Sequence, residues 1–499
     1  MLSIVALGFA LAAPLRATAA PSEHVAVIVA PASAPVFRSR QAGHGLLVAG
    51  EGATVSRRGA RASLVRGEMG NAIVRGGLPG GEPLITLAHR PARVTFYVVL
   101  PPPGKHHNVT RYPIAVTGPG YAGLLTDTST RLPGLVSIAD VAPSARALER
   151  GERPRIRAEQ ERDPLARLDR LDHRLDRSHD ARVPATLVLV ALVLALSSLA
   201  LATTGVAVAR GALLAPSACI AAAVALSAAG VARPSAAVVG VALAGAGGAF
   251  VGGALLRPRL SLALGLTALF VFLFTVMWTE PAWNTLAVIG PHPDGGGRFY
   301  GVTNEVETLL LAPALVLGAL AGAAALPVVA LLTAAGVAWS RIGADGGGLL
   351  VFLAGFLVLW LRLGHFPALR AAAATAAAAG AALLLVGIDA ATGGSSHVTK
   401  AVGDGPWSLL GDLGHRLHLS AAAIGATWHA ALLFSLGIVA LVLLALRRPR
   451  FAVLDAYLVA LVVSFLVNDT PVDVAGYGGL AALGLWLFAR TQEAAGPLQ

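Results

Sequence analysis

The chain has 499 residues, of which 56% are hydrophobic and only 13% are charged. Soluble domains carry about 25% charged residues, so this composition excludes an ordinary soluble protein and predicts a polytopic membrane protein. The net charge of +11 indicates arginine-rich inner loops and attraction to anionic membrane lipids, whereas nucleic acid is not expected because no basic cluster is interleaved with exposed aromatic residues.

Residues 1–20 are predicted to be a signal peptide or a signal-like segment. A short apolar core is followed by small residues around Ala17–Ala19, which is the pattern of a secretory signal with its cleavage site. The positively charged start of such signals is missing, so an uncleaved anchor or a misplaced start codon is the alternative. We expect the segment that follows to be exported.

Residues 22–145 are predicted to form a small exported α/β domain. Runs rich in β-forming residues alternate with Gly and Pro turns at His24–Ala30, Leu84–Ala88, Val94–Leu100 and Tyr112–Val116. A helix is predicted over Ala60–Val74. A domain of this size has only a modest core, so we expect it to lean on the membrane part or on the segment that follows it.

Residues 146–182 form a charged segment that predicts one amphipathic helix. Its leucines recur at three- and four-residue spacing, at Leu165, Leu168, Leu171 and Leu175. Asp163 followed by Pro164 is a helix start signal. We predict a juxtamembrane stalk that packs its apolar stripe on the α/β domain. A self-associating coiled coil is the alternative, although the leucines cover barely two heptads.

Residues 183–490 are predicted to be a polytopic transmembrane domain, and residues 491–499 a cytoplasmic tail. About 11 spans are predicted, at 184–208, 211–231, 235–256, 260–278, 305–325, 326–340, 347–363, 369–389, 420–446, 451–467 and 474–489. Several of these runs are shorter than the roughly 20 residues that cross a bilayer unaided. The predicted fold class is therefore mixed: a small exported α/β domain followed by an α-helical polytopic membrane domain.

Arginine predicts the orientation of these spans. With an exported start, the inner segments hold more arginine than the outer loops, in agreement with the positive-inside rule; they carry Arg210, Arg257, Arg259, Arg362, Arg370, Arg447, Arg448, Arg450 and Arg490. The sequence thus predicts a plasma-membrane protein with an extracytoplasmic α/β domain and a cytoplasmic C-terminus. Most acidic residues of the membrane part then lie near the outer face. Asp455 is the exception, and we expect it to pair with the arginines at 447–450.

The loop from Thr279 to Glu307 gathers polar residues beside an apolar run. Ionisable groups at this depth are costly and usually face a cavity, a partner or a substrate. Arg298 is predicted to grip an anionic group, because its fork suits phosphate or carboxylate, with Tyr300, Asn304 and Glu307 beside it. The structural alternatives are a capping box formed by Asn304 and Glu307 and an Arg298 that only reaches lipid headgroups.

Two further polar groups are candidate partners in this site. Asp389 and His397 lie in one predicted outer loop and could bind a divalent cation or shuttle protons, or could simply be solvated. Asn468 and Asp469 separate the last two spans and could instead cap helix ends. Their spacing matches no metal motif, and the single cysteine provides no cysteine-based site, so neither a metal nor another cofactor is predicted.

Residues 111–148 resemble the closing segment of alkaline-phosphatase/sulfatase-superfamily domains, in the run RYPIAVTGPGYAGLLTDTSTRLPGLVSIADVAPSARAL. The layout, and the run from Gly297 to Asn304, are similar to bacterial (actinobacterial-type) polytopic proteins with such an exported domain. Active members carry a metal-binding aspartate after the first strand and a Thr or Ser nucleophile downstream. Here no acid follows HVAVIVAPASAPVF, so His106, His107 and Asp140 are not assigned as ligands. The resemblance implies a pseudoenzyme or a truncated scaffold.

Three hypotheses about function follow. The first is a cell-envelope protein with an inactive phosphatase-like ectodomain and an outer-face site for an anionic, phosphorylated or lipid-linked envelope component. The second is a transporter or flippase in which the same polar groups line a path, which would predict an internal repeat or acids near the midplane. The third is a scaffold whose ectodomain binds a partner protein. The sequence names no substrate and no oligomeric state.

Overall fold

The computed structural model of this chain describes residues 24–69, 78–79, 82–231, 233–256, 258–364, 366–391 and 406–494. An α/β region built on one mixed sheet occupies residues 25–159, and a region of long apolar helices follows. The predicted signal segment and His397 lie outside the described residues.

The described residues of the α/β region form nine strands and two α-helices. The strands are β1 (Val25–Val29), β2 (Gly43–Val48), β3 (Thr54–Ser56), β4 (Val94–Val98), β5 (Lys105–His107), β6 (Tyr112–Thr117), β7 (Gly123–Asp127), β8 (Leu135–Ser137) and β9 (Ile156–Glu159), and the helices are α1 (Arg57–Arg66) and α2 (Val141–Glu149). Seven strands form the main sheet in the order β1-β4-β6-β2-β7-β9, with β8 paired to β2. The β1–β4, β2–β7 and β2–β8 pairs are parallel, and the other pairs are antiparallel.

The sequence predicts β1, β4 and β6, and the structure confirms them. Leu84–Ala88, predicted as a strand, has no regular structure. Strand β2 was missed because Gly43 and Gly45 read as turn residues. Gly43 is needed there for close packing, since a Cβ atom would lie 2.7 Å from Leu125 Cδ2.

The sequence predicts one helix from residue 146 to residue 182, and this prediction is wrong. The segment contains the end of one helix, a strand and the start of another helix. Helix α2 ends at Glu149, where Gly151 adopts a left-handed φ of 69°. Strand β9 then pairs antiparallel with β7 and completes the sheet. The helix that follows begins at Pro164, where the Asp163 side chain accepts from Ala166 N at 3.1 Å, so the predicted start signal is confirmed.

Helix α3 (Pro164–Thr203) joins the two regions without a break. Its residues Leu168, Leu171 and Leu175 are buried. Leu171 and Leu175 share an apolar cluster with residues of the α/β region. The predicted packing of this stripe is confirmed for these three leucines, whereas Leu165 is exposed.

Among the described residues, eleven further α-helices follow in the helical region. They are α4 (Val206–Ala228), α5 (Pro234–Ala254), α6 (Arg259–Thr279), α7 (Pro281–Thr285), α8 (Asn304–Ala338), α9 (Gly346–Gly364), α10 (Ala368–Ala391), α11 (Pro406–Gly425), α12 (Trp428–Leu446), α13 (Ala452–Val467) and α14 (Pro471–Ala494). Within the described residues, nine helices are long and apolar enough to cross a membrane by length and composition, and α13 is a shorter apolar helix. The predicted span at 420–446 is not one helix. It contains the end of α11 and the whole of α12, which meet near Thr427.

Helix α8 folds back on itself. Gly322 has non-helical angles (φ 76°, ψ 165°), and Val302 N, before the helix, donates to Gly343 O, beyond its end, at 2.8 Å. A straight helix of 35 residues would separate its ends by about 50 Å. The two arms are therefore antiparallel, which matches the predicted runs 305–325 and 326–340.

The helical region has two chemically different ends. The loops 280–303, 339–345 and 468–470 contact or approach the α/β region, and we call this end the domain-facing end. At the opposite end, Asp455 forms ion pairs with Arg362 at 3.0 Å and with Arg450 at 3.1 Å. The predicted pairing of Asp455 with the arginines at 447–450 is thus confirmed for Arg450.

Arg111 fastens the α/β region to α3. Its side chain is 2% exposed and forms ion pairs with Asp172 at 2.7 Å and with Asp176 at 2.5 Å. The same guanidinium donates to Val109 O at 2.6 Å. Because β6 begins next to Arg111, these contacts set how the sheet sits on the helix.

We expect Arg111→Ala to lower the free energy of unfolding by about 2 kcal/mol, because it removes charge-assisted hydrogen bonds while leaving acids that water can reach. The matched control is Arg150→Ala, whose ion pair with Glu152 is exposed on both sides and should cost no more than about 0.5 kcal/mol. Thermal unfolding of the full-length protein in detergent measures both. Equal effects of the two substitutions would contradict the role given to Arg111.

Candidate functional site

The loop 280–303 is held in place by the Asn284 side chain within it and by the loop 339–345. Asn284 Nδ2 donates to Gly301 O at 2.8 Å, and Val302 N donates to Gly343 O at 2.8 Å. Gly301 has a φ of 87°, and a Cβ atom there would lie 2.1 Å from Gly343 O. The two loops therefore pack too closely for any other residue at this position.

A loop of the α/β region lies directly on this site. Gly52 N donates to Gly295 O at 3.0 Å. Asn108 Nδ2 lies within hydrogen-bonding distance of Gly50 O at 2.8 Å and of Gly295 O at 3.1 Å. Gly296 has a φ of 68°, and a Cβ atom there would lie 2.1 Å from Gly50 O. The contact is thus made mainly by backbone groups.

Arg298 is already neutralised by groups of the protein. Its guanidinium donates to Val302 O and lies 3.5 Å from Asp345 Oδ1, with the Asp345 side chain 3% exposed. The sequence predicts that Arg298 grips an anionic ligand, but it did not single out Asp345 as part of this site. An arginine engaged in this way is better placed to orient the loop than to bind a ligand.

Glu307 and Asn468, both predicted site residues, are in contact. Glu307 is fully buried, and its Oε2 accepts from Asn468 Nδ2 at 3.1 Å. Asp345 is a neighbour of this pair, since Asn468 Oδ1 and Asp345 Oδ1 both lie beside Gly347 and the Asp345 charge acts on Glu307. We call Arg298, Glu307, Asp345 and Asn468 the carboxyl cluster.

The predicted capping box of Asn304 and Glu307 does not form. The N-cap of α8 is Thr303, whose hydroxyl accepts from Val306 N at 3.4 Å. Asn304 instead donates to Asp469 Oδ1 at 3.2 Å and to Thr470 Oγ1 at 2.9 Å. Its side chain therefore ties the start of α8 to the loop before α14, because Thr303 already satisfies the backbone.

Tyr300 and Asp389 belong to a second group. Tyr300 OH donates to Ser340 O at 2.9 Å, and the Ser340 amide and hydroxyl donate to Asp389 Oδ1 at 3.0 and 2.7 Å. Arg131 of the α/β region lies over the Tyr300 ring, 4.8 Å from its centroid. Its guanidinium donates to Arg341 O at 2.6 Å. We call Arg131, Tyr300, Ser340, Arg341 and Asp389 the seam.

A third group centres on Asp294 and was missed by the sequence reasoning. Asp294 Oδ2 lies 2.8 Å from His179 Nδ1, and Oδ1 lies 2.5 Å from Arg182. Burial raises the Asp294 pKa, but Arg182 and His179 outweigh it, and the pKa is lowered. His179 and Arg182 lie in the charged stalk, where nothing in the sequence distinguishes them from solvated residues.

The predicted site residues thus divide into connected groups rather than one pocket. Arg298, Glu307 and Asn468 meet through Asp345, Asn304 meets Asp469, and Tyr300 is linked to Asp389 through Ser340. Within the part of the chain that the structure describes, no group of three or more His, Cys, Asp or Glu side chains is arranged to hold a metal ion.

No family model, curated protein or solved structure matches this chain.

We expect Gly296→Ala to weaken the contact between the α/β region and the loop 280–303, because residue 296 has a left-handed backbone conformation and its Cβ atom would clash with Gly50 O. The substitution should destabilise this contact by at least about 2 kcal/mol. Gly295→Ala is the matched control, since no atom lies within 4 Å of its added Cβ. Hydrogen exchange of the Gly52 amide measures the effect: it should speed up in Gly296→Ala only, and unchanged protection there would contradict the expectation.

The free energy of unfolding should depend on pH through Glu51, which lies in the loop of the α/β region that contacts the loop 280–303. Burial and then the nearby charge of Asp469 raise its pKa from the ordinary value of 4.5 to about 7. The folded protein then holds a proton that the unfolded chain has released, so stability falls as the pH rises from about 4.5 to about 7. Unfolding measured across this range should show a shallower fall in Glu51→Gln.

Glu82, an exposed carboxyl of the same domain, provides the control, since Glu82→Gln should leave the pH profile unchanged. A Glu51→Gln profile that superimposes on that of the wild type would show that Glu51 titrates alike in both states.

Proposed function

We propose that this protein spans the bacterial plasma membrane about eleven times, with the α/β domain outside and the C-terminus in the cytoplasm. The nine candidate helices, with α8 counted as two arms and α13 added, support this number. Arg210, Arg362 and Arg450 lie at the end opposite the α/β domain, in keeping with the positive-inside rule. The buried acids Asp294 and Asp345 lie at the domain-facing end.

We further propose that the seam binds an anionic, phosphorylated or lipid-linked component of the cell envelope. The observation that carries this proposal is the hydrogen bond from the Arg131 guanidinium to the backbone carbonyl of Arg341, which brings together two cationic residues from the two regions of the protein. Burial is the main reason that the pKa of the Arg131 guanidinium is lowered, and the charge of Arg341 contributes. Among the described residues neither guanidinium forms an ion pair. An anionic group would supply the missing charge, and arginine forks suit phosphate.

Backbone conformation supports a functional role for Arg131. It has a φ of 51°, which is uncommon for a residue other than glycine. Strained residues of this kind are concentrated at binding sites, where the surrounding structure holds them in place. Here the Arg131 amide donates to Asp127 O at 3.0 Å, so the side chain is directed from a rigid turn.

The neighbours of the seam fit the depth of lipid headgroups. Trp339, next to Ser340, is 40% exposed, and aromatic residues of this kind concentrate at membrane interfaces. The sequence predicts that Arg298 binds the anionic ligand. We propose instead that Arg131 and Arg341 bind it, and that Arg298 orients the loop 280–303. The α/β domain contributes Arg131 and needs no hydrolytic chemistry for this function; its resemblance to phosphatase-like pseudoenzymes remains a prediction.

A transporter or flippase is the second candidate, and Glu307 is the observation that favours it. This acid is fully buried in the first turn of an apolar helix. Ionisable residues in such positions often mark a substrate or ion pathway. In that case the seam would be the outer recognition point of the path.

The test is thermal unfolding of the full-length protein in detergent with added phosphatidylglycerol or phosphatidylcholine. The anionic lipid should raise the melting temperature of the wild type by a few degrees more than the zwitterionic lipid does. The double variant Arg131→Gln/Arg341→Gln should lose at least half of that difference. The control is Arg57→Gln/Arg58→Gln, which removes two exposed arginines of the same domain and should retain it. Equal stabilisation of all three proteins would overturn the proposal.

A further inference from the structure

Two buried oxygen atoms of the carboxyl cluster face no hydrogen-bond donor. Glu307 Oε1 and Asp345 Oδ2 are both buried without a partner within the described part of the chain. The other oxygen of each group is satisfied: Glu307 Oε2 accepts from Asn468 Nδ2 at 3.1 Å, and Asp345 Oδ1 accepts from Gly348 N at 3.1 Å. The deficit is thus one oxygen atom on each of the two carboxyl groups.

The surrounding groups do not remove this deficit. Arg298 contributes one positive charge, from the Asp345 side. Tyr457, from α13, uses its hydroxyl to donate to Thr308 O at 2.9 Å and so offers no proton to Glu307. The second amide contact of Asn468 is with Ser464 Oγ at 2.8 Å. Two ionised carboxylates would therefore keep one uncompensated negative charge in a site without water access, which is costly.

We propose that Glu307 and Asp345 form a proton-binding site that holds one proton between Glu307 Oε1 and Asp345 Oδ2. The O–H of one carboxyl group then donates to the oxygen of the other, so a single proton satisfies both orphaned atoms. It also makes the total charge of the two acids and Arg298 zero. Two carboxyl groups in one buried site share a proton because both cannot ionise together.

This site is independent of the proposed anion-binding seam, since Glu307 and Asp345 take no part in the contact between Arg131 and Arg341. It assigns to Glu307 a role that neither helix capping nor ligand binding explains. Buried acids near membrane helices commonly hold protons or ions. The chemical class of its ligand is a single proton, exchanged with the aqueous side at the domain-facing end.

The test is infrared difference spectroscopy of the full-length protein in lipid nanodiscs at neutral and alkaline pH. A protonated carboxyl group is recognised by its C=O stretch, which shifts in D2O. Part of this band should be lost in Glu307→Gln, and an equal part in Asp345→Asn. In each variant the remaining carboxyl group is ionised, because the new amide donates to it and Arg298 neutralises its charge. The double variant should lose no more than either single variant, since one proton is shared.

Asp455→Asn is the matched control, because Asp455 has two arginine partners; the band should be unchanged in it. A double variant that loses twice the amplitude of a single one would show two separate protons and overturn the proposal. A wild-type protein with no such band at neutral pH would overturn it without any variant, so the test does not depend on the folding of Glu307→Gln.

Discussion

Two carboxylates buried at the domain-facing end, Asp294 and Asp345, are each neutralised by cationic partners from another part of the chain. Asp294 is neutralised by His179 and Arg182 of α3, and Asp345 by Arg298 of the preceding loop. An unpaired charge in such surroundings costs several kcal/mol. These pairings therefore restrict how the loops, the long helix α3 and the α/β domain can be arranged, and the candidate site is assembled by that restriction.

The α/β domain is part of this site rather than an appendage. Its Arg111 holds α3, its Gly52 lies on the loop 280–303, and its Arg131 reaches the Tyr300 ring. A small domain with a modest core is stabilised by such docking. The same contacts bring a cationic side chain of the domain to the level at which the apolar helices end, which is where a lipid-linked anion would be recognised.

Several features could be predicted because they depend on local pattern. Strands β1, β4 and β6 are rich in β-branched and aromatic residues, and Asp163 with Pro164 is a local start signal for α3. Strand β2 could not be recognised, since its glycines are there for contacts with Leu125, which lies far along the chain. Strand β9 could not be recognised either, because it depends on pairing with β7, and this pairing outweighs the helical propensity of a charged segment.

The sequence by itself determined the division into an α/β region and a series of apolar helices, because composition and periodicity are local properties. It also pointed to the loop 280–303 as the place where polar residues collect. Only the tertiary structure decided which polar group meets which. Arg298 meets the Asp345 carboxylate, Asn304 meets Asp469, and Arg131 meets the backbone carbonyl of Arg341 across more than two hundred residues. Electrostatic pairing depends on distance and burial in three dimensions, and neither can be read from residue types along the chain.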